Sequence, residues 1–328
     1  MRTGIMNVGF SAGLLAAGLL AAGLALAASA GQVSAGEAPA TTWLGAAASL
    51  AAVEASPAEA AKPEWTKPIP LSVAVDYTLV SDYIWRGVNL SEYRGEGRER
   101  PNHQMNVALS YDTGDYGSIN AAFWFEWFSG QRQLTPGCES DLQEVDYSLS
   151  WSYVVKPLAT KVEAGWFAYQ FPQSSGDLQT TYEWFIGLSF DDSKLFGTES
   201  GVLNPTVKYY YDVDLVEGGQ YLELGISHDF ALASLGCDKT PILKNVTITP
   251  SALLSVDHRY FTSSTQLSSL LYGLAFGYDL GKALCMPERC GSLKLTGFLN
   301  YSQALGLKDD VSGCQDEFFG GVRVGYAW

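Results

Sequence analysis

Glu317 to Trp328 reads E-F-F-G-G-V-R-V-G-Y-A-W, a two-residue alternation that ends on an aromatic residue. Successive side chains of a strand point to opposite faces. Phe318, Val322, Val324, Tyr326 and Trp328 therefore form an apolar face, while Arg323 and the small residues Gly321, Gly325 and Ala327 lie on the other. A soluble sandwich also alternates. It rarely places its last apolar aromatic at the end of the chain, where the strand must be a closing edge rather than a frayed tail.

This stretch resembles the closing strand of a bacterial outer-membrane barrel, usually Phe-terminated, with Trp328 as a departure. The resemblance implies that Tyr326 and Trp328 form an assembly signal read by the barrel assembly machinery, and that outer-membrane lipid surrounds the chain. The opposite end agrees. Arg2 is the only charge before Glu37, and the apolar stretch from Phe10 through Leu26 leads to an A-x-A site at Ala28-Ser29-Ala30. Residues 1–30 thus read as a cleaved signal peptide. The Ala- and Pro-rich residues 31–70 read as a periplasmic linker, and 71–328 as the barrel.

The chain is 47% hydrophobic and 13% aromatic, yet beyond the leader no run approaches the 18 apolar residues of a membrane helix. Hydrophobicity dispersed as every second residue gives a barrel with a lipid-facing outside and a polar inside. The expected fold is all-β, a transmembrane antiparallel up-and-down barrel of about twelve strands in the outer membrane of a diderm bacterium. The spans fall at 71–86, 103–112, 116–128, 143–155, 160–171, 180–190, 204–213, 220–230, 245–257, 268–279, 292–302 and 317–328. Outward aromatics then sort into two girdles, with Tyr83, Trp85, Tyr182, Trp184, Tyr211 and Phe318 near the outer rim. Tyr111, Trp151, Tyr153, Tyr326 and Trp328 fall near the inner one. Pro250 inside the ninth span predicts a bulge or break. The connections 191–203, 231–244 and 280–291 are long for periplasmic turns.

Ser81 to Val88, S-D-Y-I-W-R-G-V, resembles the S-D-Y-x-x-R-G-x motif of the TorF family of outer-membrane porins. Looser likenesses are Gly165 to Pro172, Tyr182 to Gly187 and Tyr221 to Leu224. The resemblance implies a barrel and passive diffusion of small solutes, without naming the solute.

By parity Asp82, Glu126, Glu144, Asp146, Glu183, Asp212, Asp214 and Glu223 face the lumen with Arg86, Lys208 and Arg323. Asp82 and Arg86, four residues apart on one strand, are about 13 Å apart, too far to pair, so each is expected to bond a neighbouring strand. Acids outnumber bases inside, which predicts cation preference, with Asp212 and Asp214 at the entrance. The net charge of −15 argues against nucleic acid as partner. Small solutes or cations are the expected cargo, and no cofactor is implied.

All five cysteines fall in expected connections, and Cys285 and Cys290, within C-M-P-E-R-C, are the expected disulfide. Cys138 and Cys314 could staple two outer loops, which leaves Cys237. Asp309, Asp310, Asp316 and Glu317 lack the spacing of a calcium loop. Besides a diffusion channel, the sequence admits a plugged barrel with a structural or surface-interaction role, and an exported sandwich. A lipid hydrolase would need a Ser-His pair on the lipid face. Pairing Tyr111 with Gly117 sets Phe125 opposite His103 and leaves Ser129 about 13 Å too far along, so no catalytic residue is assigned.

Overall fold

The structure is a computed structural model that describes residues 70–91, 101–128, 142–172, 180–240, 242–309, 311 and 314–328. The expected leader and linker lie outside the described residues. Among the described residues the main sheet has thirteen strands. One is the two-residue Phe230–Ala231, and the other twelve circle the barrel once. They are β1 Leu71–Val80, β2 Asn102–Asp112, β3 Ser118–Phe128, β4 Leu142–Val155, β5 Thr160–Gln170 and β6 Thr180–Phe190. β7 Thr206–Asp212, β8 Gln220–Ser227, β9 Val246–His258, β10 Thr265–Asp279, β11 Ser292–Ala304 and β12 Glu317–Ala327 complete the circle. Each pairs antiparallel with the next. β12 returns to β1 with Tyr326 opposite Val75 and Gly321 opposite Val80, so the ladder has no free edge.

The alternation sorts the side chains in the sense opposite to a soluble protein. On β4, Leu149 and Trp151 are 55% and 45% exposed, whereas Ser148, Ser150 and Ser152 are buried. On β6, Trp184 and Ile186 face out while Glu183 and Phe185 are buried. An apolar exterior around a polar interior is stable when lipid rather than water lies outside, and a closed barrel leaves no backbone group unpaired there. The chain is an outer-membrane barrel. Tyr182, Trp184, Tyr211 and Phe318 are exposed toward the rim where β1 ends, and Tyr111, Trp151, Tyr153 and Tyr326 toward the other. Trp151 stacks on Tyr153 at 5.9 Å.

Three expectations are corrected. β1 ends at Val80, not at 86. The β2–β3 register pairs Tyr111 with Ile119 and His103 with Trp127, because the chain needs the wider turn around Gly114–Tyr116 to reverse. Pro250 causes no break. It pairs with Leu274 in an unbroken register, and on its other side it lies between the last β8–β9 pair, Ser227 with Ser251, and the pair Phe230 with Ile248, where its carbonyl accepts from the His228 N–H at 3.2 Å. The irregularity falls instead between Leu254 and Val256, which oppose Leu270 and Leu267, so β10 carries one extra residue. Such a bulge re-aims side chains. Ser268 and Ser269, consecutive in sequence, are both buried there.

Candidate functional site

Beyond Val80 the chain turns into the lumen. Ile84–Trp85 pairs with Val88–Asn89 as a two-residue hairpin. Its central residues, Arg86 at φ 51° and Gly87 at φ 83°, are both left-handed, as a type I′ turn requires. Glycine is required at 87 for a second reason. A Cβ there would sit 2.6 Å from the Cβ of Ser269. Arg86 holds its conformation against a cost of about 1–2 kcal/mol. The base of the hairpin is latched by side chains. Ser91 Oγ accepts from the Tyr83 N–H at 2.8 Å and from Asn102 Nδ2 at 2.7 Å, and Asn89 Nδ2 donates to Asp82 Oδ1 at 3.3 Å.

Arg86 is the centre of the arrangement. Its Nη1 and Nη2 donate to Glu183 Oε1 and Oε2 at 2.7 and 2.8 Å, with both side chains essentially inaccessible. Fork-to-carboxylate geometry of this kind fixes orientation as well as charge. Tyr169 Oη donates to Glu183 Oε2 at 2.9 Å. The guanidinium carbon lies 4.5 to 4.7 Å from the ring centroids of Trp85, Tyr210, Tyr221 and Tyr260, within cation–π range. The Arg86 carbonyl accepts from Tyr221 Oη at 3.1 Å and from Ser268 Oγ at 3.0 Å. Thus the β10 bulge aims one serine at the tip carbonyl and its neighbour at Gly87.

The hairpin also reaches both walls. Tyr83 packs with Trp124, Phe167 and Tyr169 and donates its hydroxyl to Glu144 Oε2 at 3.0 Å. On the other side Ile84 packs with Ala275, Phe298 and Phe319. Tyr83 and Trp85 are therefore not lipid-facing girdle residues. Period-two alternation runs through them, but the chain has left the wall after Val80, and the R-G turn then folds it back on itself. Arg86 does face inward, yet its partner is on β6 across the lumen, 97 residues away, rather than on a neighbouring strand. Asp82 bonds within its own hairpin. Gly87 is a trace of this turn in the sequence, but Arg-Gly is not one of the pairs, such as Asn-Gly or Asp-Gly, that mark a two-residue hairpin.

Other site residues spread along the wall. Glu126 and Glu144 stand directly opposite each other on β3 and β4, with Asp146 opposite Trp124, and all three are buried. Lys208 faces Glu223 across β7 and β8, and its ammonium lies 4.3 Å from the Phe185 ring centroid. Glu223 accepts from Tyr210 Oη at 3.0 Å. Asp212 is a turn cap, taking the N–H groups of Asp214 and Val216 and Thr181 Oγ1, each at 2.9 Å, while Asp214 is exposed on that turn. Asp257 caps the following turn in the same way, through the N–H groups of Tyr260 and Phe261. Nearer the other rim, Arg323 Nε donates to Thr78 Oγ1 at 3.0 Å and lies 3.7 Å from Asp76, both charges about a quarter exposed.

At the seam, the Trp328 N–H donates to the Val73 carbonyl and the Val73 N–H to the Trp328 carbonyl, both at 2.8 Å. Tyr326 Oη reaches the Cys290 carbonyl at 2.7 Å. Cys285 and Cys290 are separate, exposed thiols in this structure, contrary to the expected pairing. Cys285 follows the helix Leu280–Ala283 in a left-handed conformation, and Cys290 ends a separate turn, Glu288–Cys290, so neighbouring sequence does not make a shared site. Cys314 is buried with Val88, Ala304 and Leu307, and burial with help from Asp316 pushes its thiol up to about 11. Cys138 and Ser129 lie outside the described residues. His103 contacts Tyr77 Oη, His228 the Val202 carbonyl and His258 the Thr265 hydroxyl. Among the described residues no group of three or more His, Cys, Asp or Glu is arranged to hold a metal.

No protein-family model matches the chain, and no curated protein does. Among solved structures, an outer-membrane channel from Pseudomonas putida F1 is similar with a TM-score of 0.46 at 9% identity, covering 80% of this chain and 97% of that one. The NanC porin has a TM-score of 0.39 at 12% identity, covering 79% and 98%. Outer membrane phospholipase A from Escherichia coli has 0.38 at 14%, covering 78% and 92%.

Proposed function

We propose that the chain is a narrow, porin-like channel for small solutes that prefers cations, with the hairpin Ile84–Asn89 as its constriction. The observation that carries this reading is the hairpin itself, folded from the wall into a polar lumen and held there by Arg86 and Glu183. The partly exposed Asp76–Arg323 pair supports water inside the barrel on the other side of the hairpin. Carboxylates on adjacent strands, Glu126, Glu144 and Asp146, support the cation preference, since acidic walls of low dielectric concentrate positive ions. The S-D-Y-x-x-R-G likeness of Ser81–Val88 to the TorF family supports the same class. Reversal potential under a salt gradient tests the sign. A cation-selective value is expected, and anion preference overturns it.

A second reading, a plugged barrel with a structural role, is favoured by one observation: the hairpin packs on both walls at once. Replacing 84–89 with a short Gly-Ser link separates the two. A channel conducts before and after the change, whereas a plug conducts only after it. We assign Tyr326 and Trp328 to assembly, supported by their bonds across the seam and to the 280–291 connection.

A further inference from the structure

The barrel wall is uneven in height. β7 and β8 have 7 and 8 residues, while the flanking β6 and β9 have 11 and 13. Seven residues at about 3.4 Å, tilted by about 40°, rise only about 18 Å against an apolar band of about 25 Å. A membrane-crossing strand normally has about 9–11 residues. The two connections at the foot of these short strands, 191–205 before β7 and 228–245 after β8, are long, as is 280–291, and they are not plain loops; the second carries Phe230–Ala231, which resumes the pairing with β9 at Ile248 and Thr247. They contain the helical turns Ser193–Phe196, Ala233–Cys237 and Leu243–Asn245.

Those turns carry apolar side chains outward. Leu195 is 74% exposed, Ile242 65%, Phe196 46% and Leu235 43%. The neighbouring connection adds Leu284. Exposed Lys194, Lys244 and Lys282 lie within two residues of these apolar groups. A polar turn in water has no use for such side chains, whereas alternating apolar groups and lysines are how a segment settles at the boundary between acyl chains and headgroups. The folded shape of the turns is built in. Asp192, buried, accepts from the N–H groups of Val202 and Leu203 at 2.7 and 2.8 Å and so closes the first connection into a compact unit.

We infer that the turns at 193–196, 233–237 and 243–245 form a collar seated in the phospholipid headgroup boundary, completing the apolar belt beneath the short strands β7 and β8. Phospholipid is the occupant because the collar continues the lipid-facing surface of the same strands, where Val207, Tyr211 and Leu224 are exposed. The inference rests on the barrel's place in the membrane and not on channel activity.

The test places the photocrosslinker benzoylphenylalanine at Phe196 or Ile242 of the full chain, reconstituted in phosphatidylethanolamine and phosphatidylglycerol vesicles. Trp184, in the belt, and Glu217, on the turn at the other rim, are the comparison positions. After irradiation, intact mass is expected to rise by one phospholipid at Phe196 and Ile242 as at Trp184, and not at Glu217. Lipid adducts at Trp184 but none at Phe196 and Ile242 overturn the collar, as do adducts joining two copies of the chain. Loss of adducts at Trp184 as well reads instead against the membrane placement. If either variant fails to give heat-modifiable protein, Leu195 and Leu243 carry the same test.

Discussion

Glu183→Gln removes one charge from the hairpin's anchor and leaves shape and volume nearly unchanged. The pair it breaks is bidentate, at 2.7 and 2.8 Å, and almost wholly inaccessible. Stranding one member of such a buried pair costs about 3–5 kcal/mol. The rings around Arg86 remain, and the Gln carbonyl keeps one acceptor, so the lower figure applies. About 3 kcal/mol lowers the docking equilibrium of the hairpin roughly 150-fold at 1.4 kcal/mol per decade. The expected result in planar bilayers is a larger or noisier unit conductance, together with a lower unfolding temperature. Arg86→Met combined with Glu183→Leu is the control, because removing both charges leaves neither stranded and restores much of the docking. A Glu183→Gln protein that inserts normally, with conductance and unfolding temperature unchanged, would refute the anchoring role.

Two further predictions concern other residues. Trp328→Asp is expected to reduce heat-modifiable, membrane-inserted protein, because it places a carboxylate on the lipid face of the β1–β12 seam; normal levels would count against the assembly role. Cys314, with its thiol pushed up to about 11, is thiolate in about one part in a thousand at pH 8. Its alkylation is expected to lag behind that of exposed Cys285 and Cys290 and to rise about tenfold per pH unit between 7 and 10, whereas a flat profile in mass-mapped alkylation contradicts the assigned environment.

The wall of the barrel was legible because it depends on local alternation. The fourth and twelfth spans, read at 143–155 and 317–328, appear as Leu142–Val155 and Glu317–Ala327. Faces survive small errors too. The β2–β3 register differs by two residues from the expected one, and an even shift leaves every side chain on its own face. The hairpin was not legible. Alternation carries on through Tyr83 and Trp85, so a period-two reading extends β1 until the left-handed pair at Arg86 and Gly87 ends it. Nor can spacing disclose that Arg86 meets Glu183, since that contact exists only once the wall curves round to face its own beginning. Asp212 illustrates a third limit. Its face was read as lumenal, but the N–H groups of its own turn, two and four residues on, take its carboxylate.

The sequence separations around the hairpin carry a consequence for the order of events. Tyr83 bonds a residue 61 positions ahead, and the Arg86 side chain one 97 ahead. The Arg86 carbonyl takes hydroxyls 135 and 182 positions ahead. Contacts of such range are secured late, after the loop entropy between the partners has been overcome. The hairpin is among the first barrel residues to leave the ribosome, whereas the last of its hydrogen-bond partners comes with β10 and the last of its packing partners, Phe319, with β12. It must therefore wait, already turned, inside a sheet still curling around it. Closure then acts as a clasp, and a chain whose tenth strand fails to join leaves its own hairpin undocked.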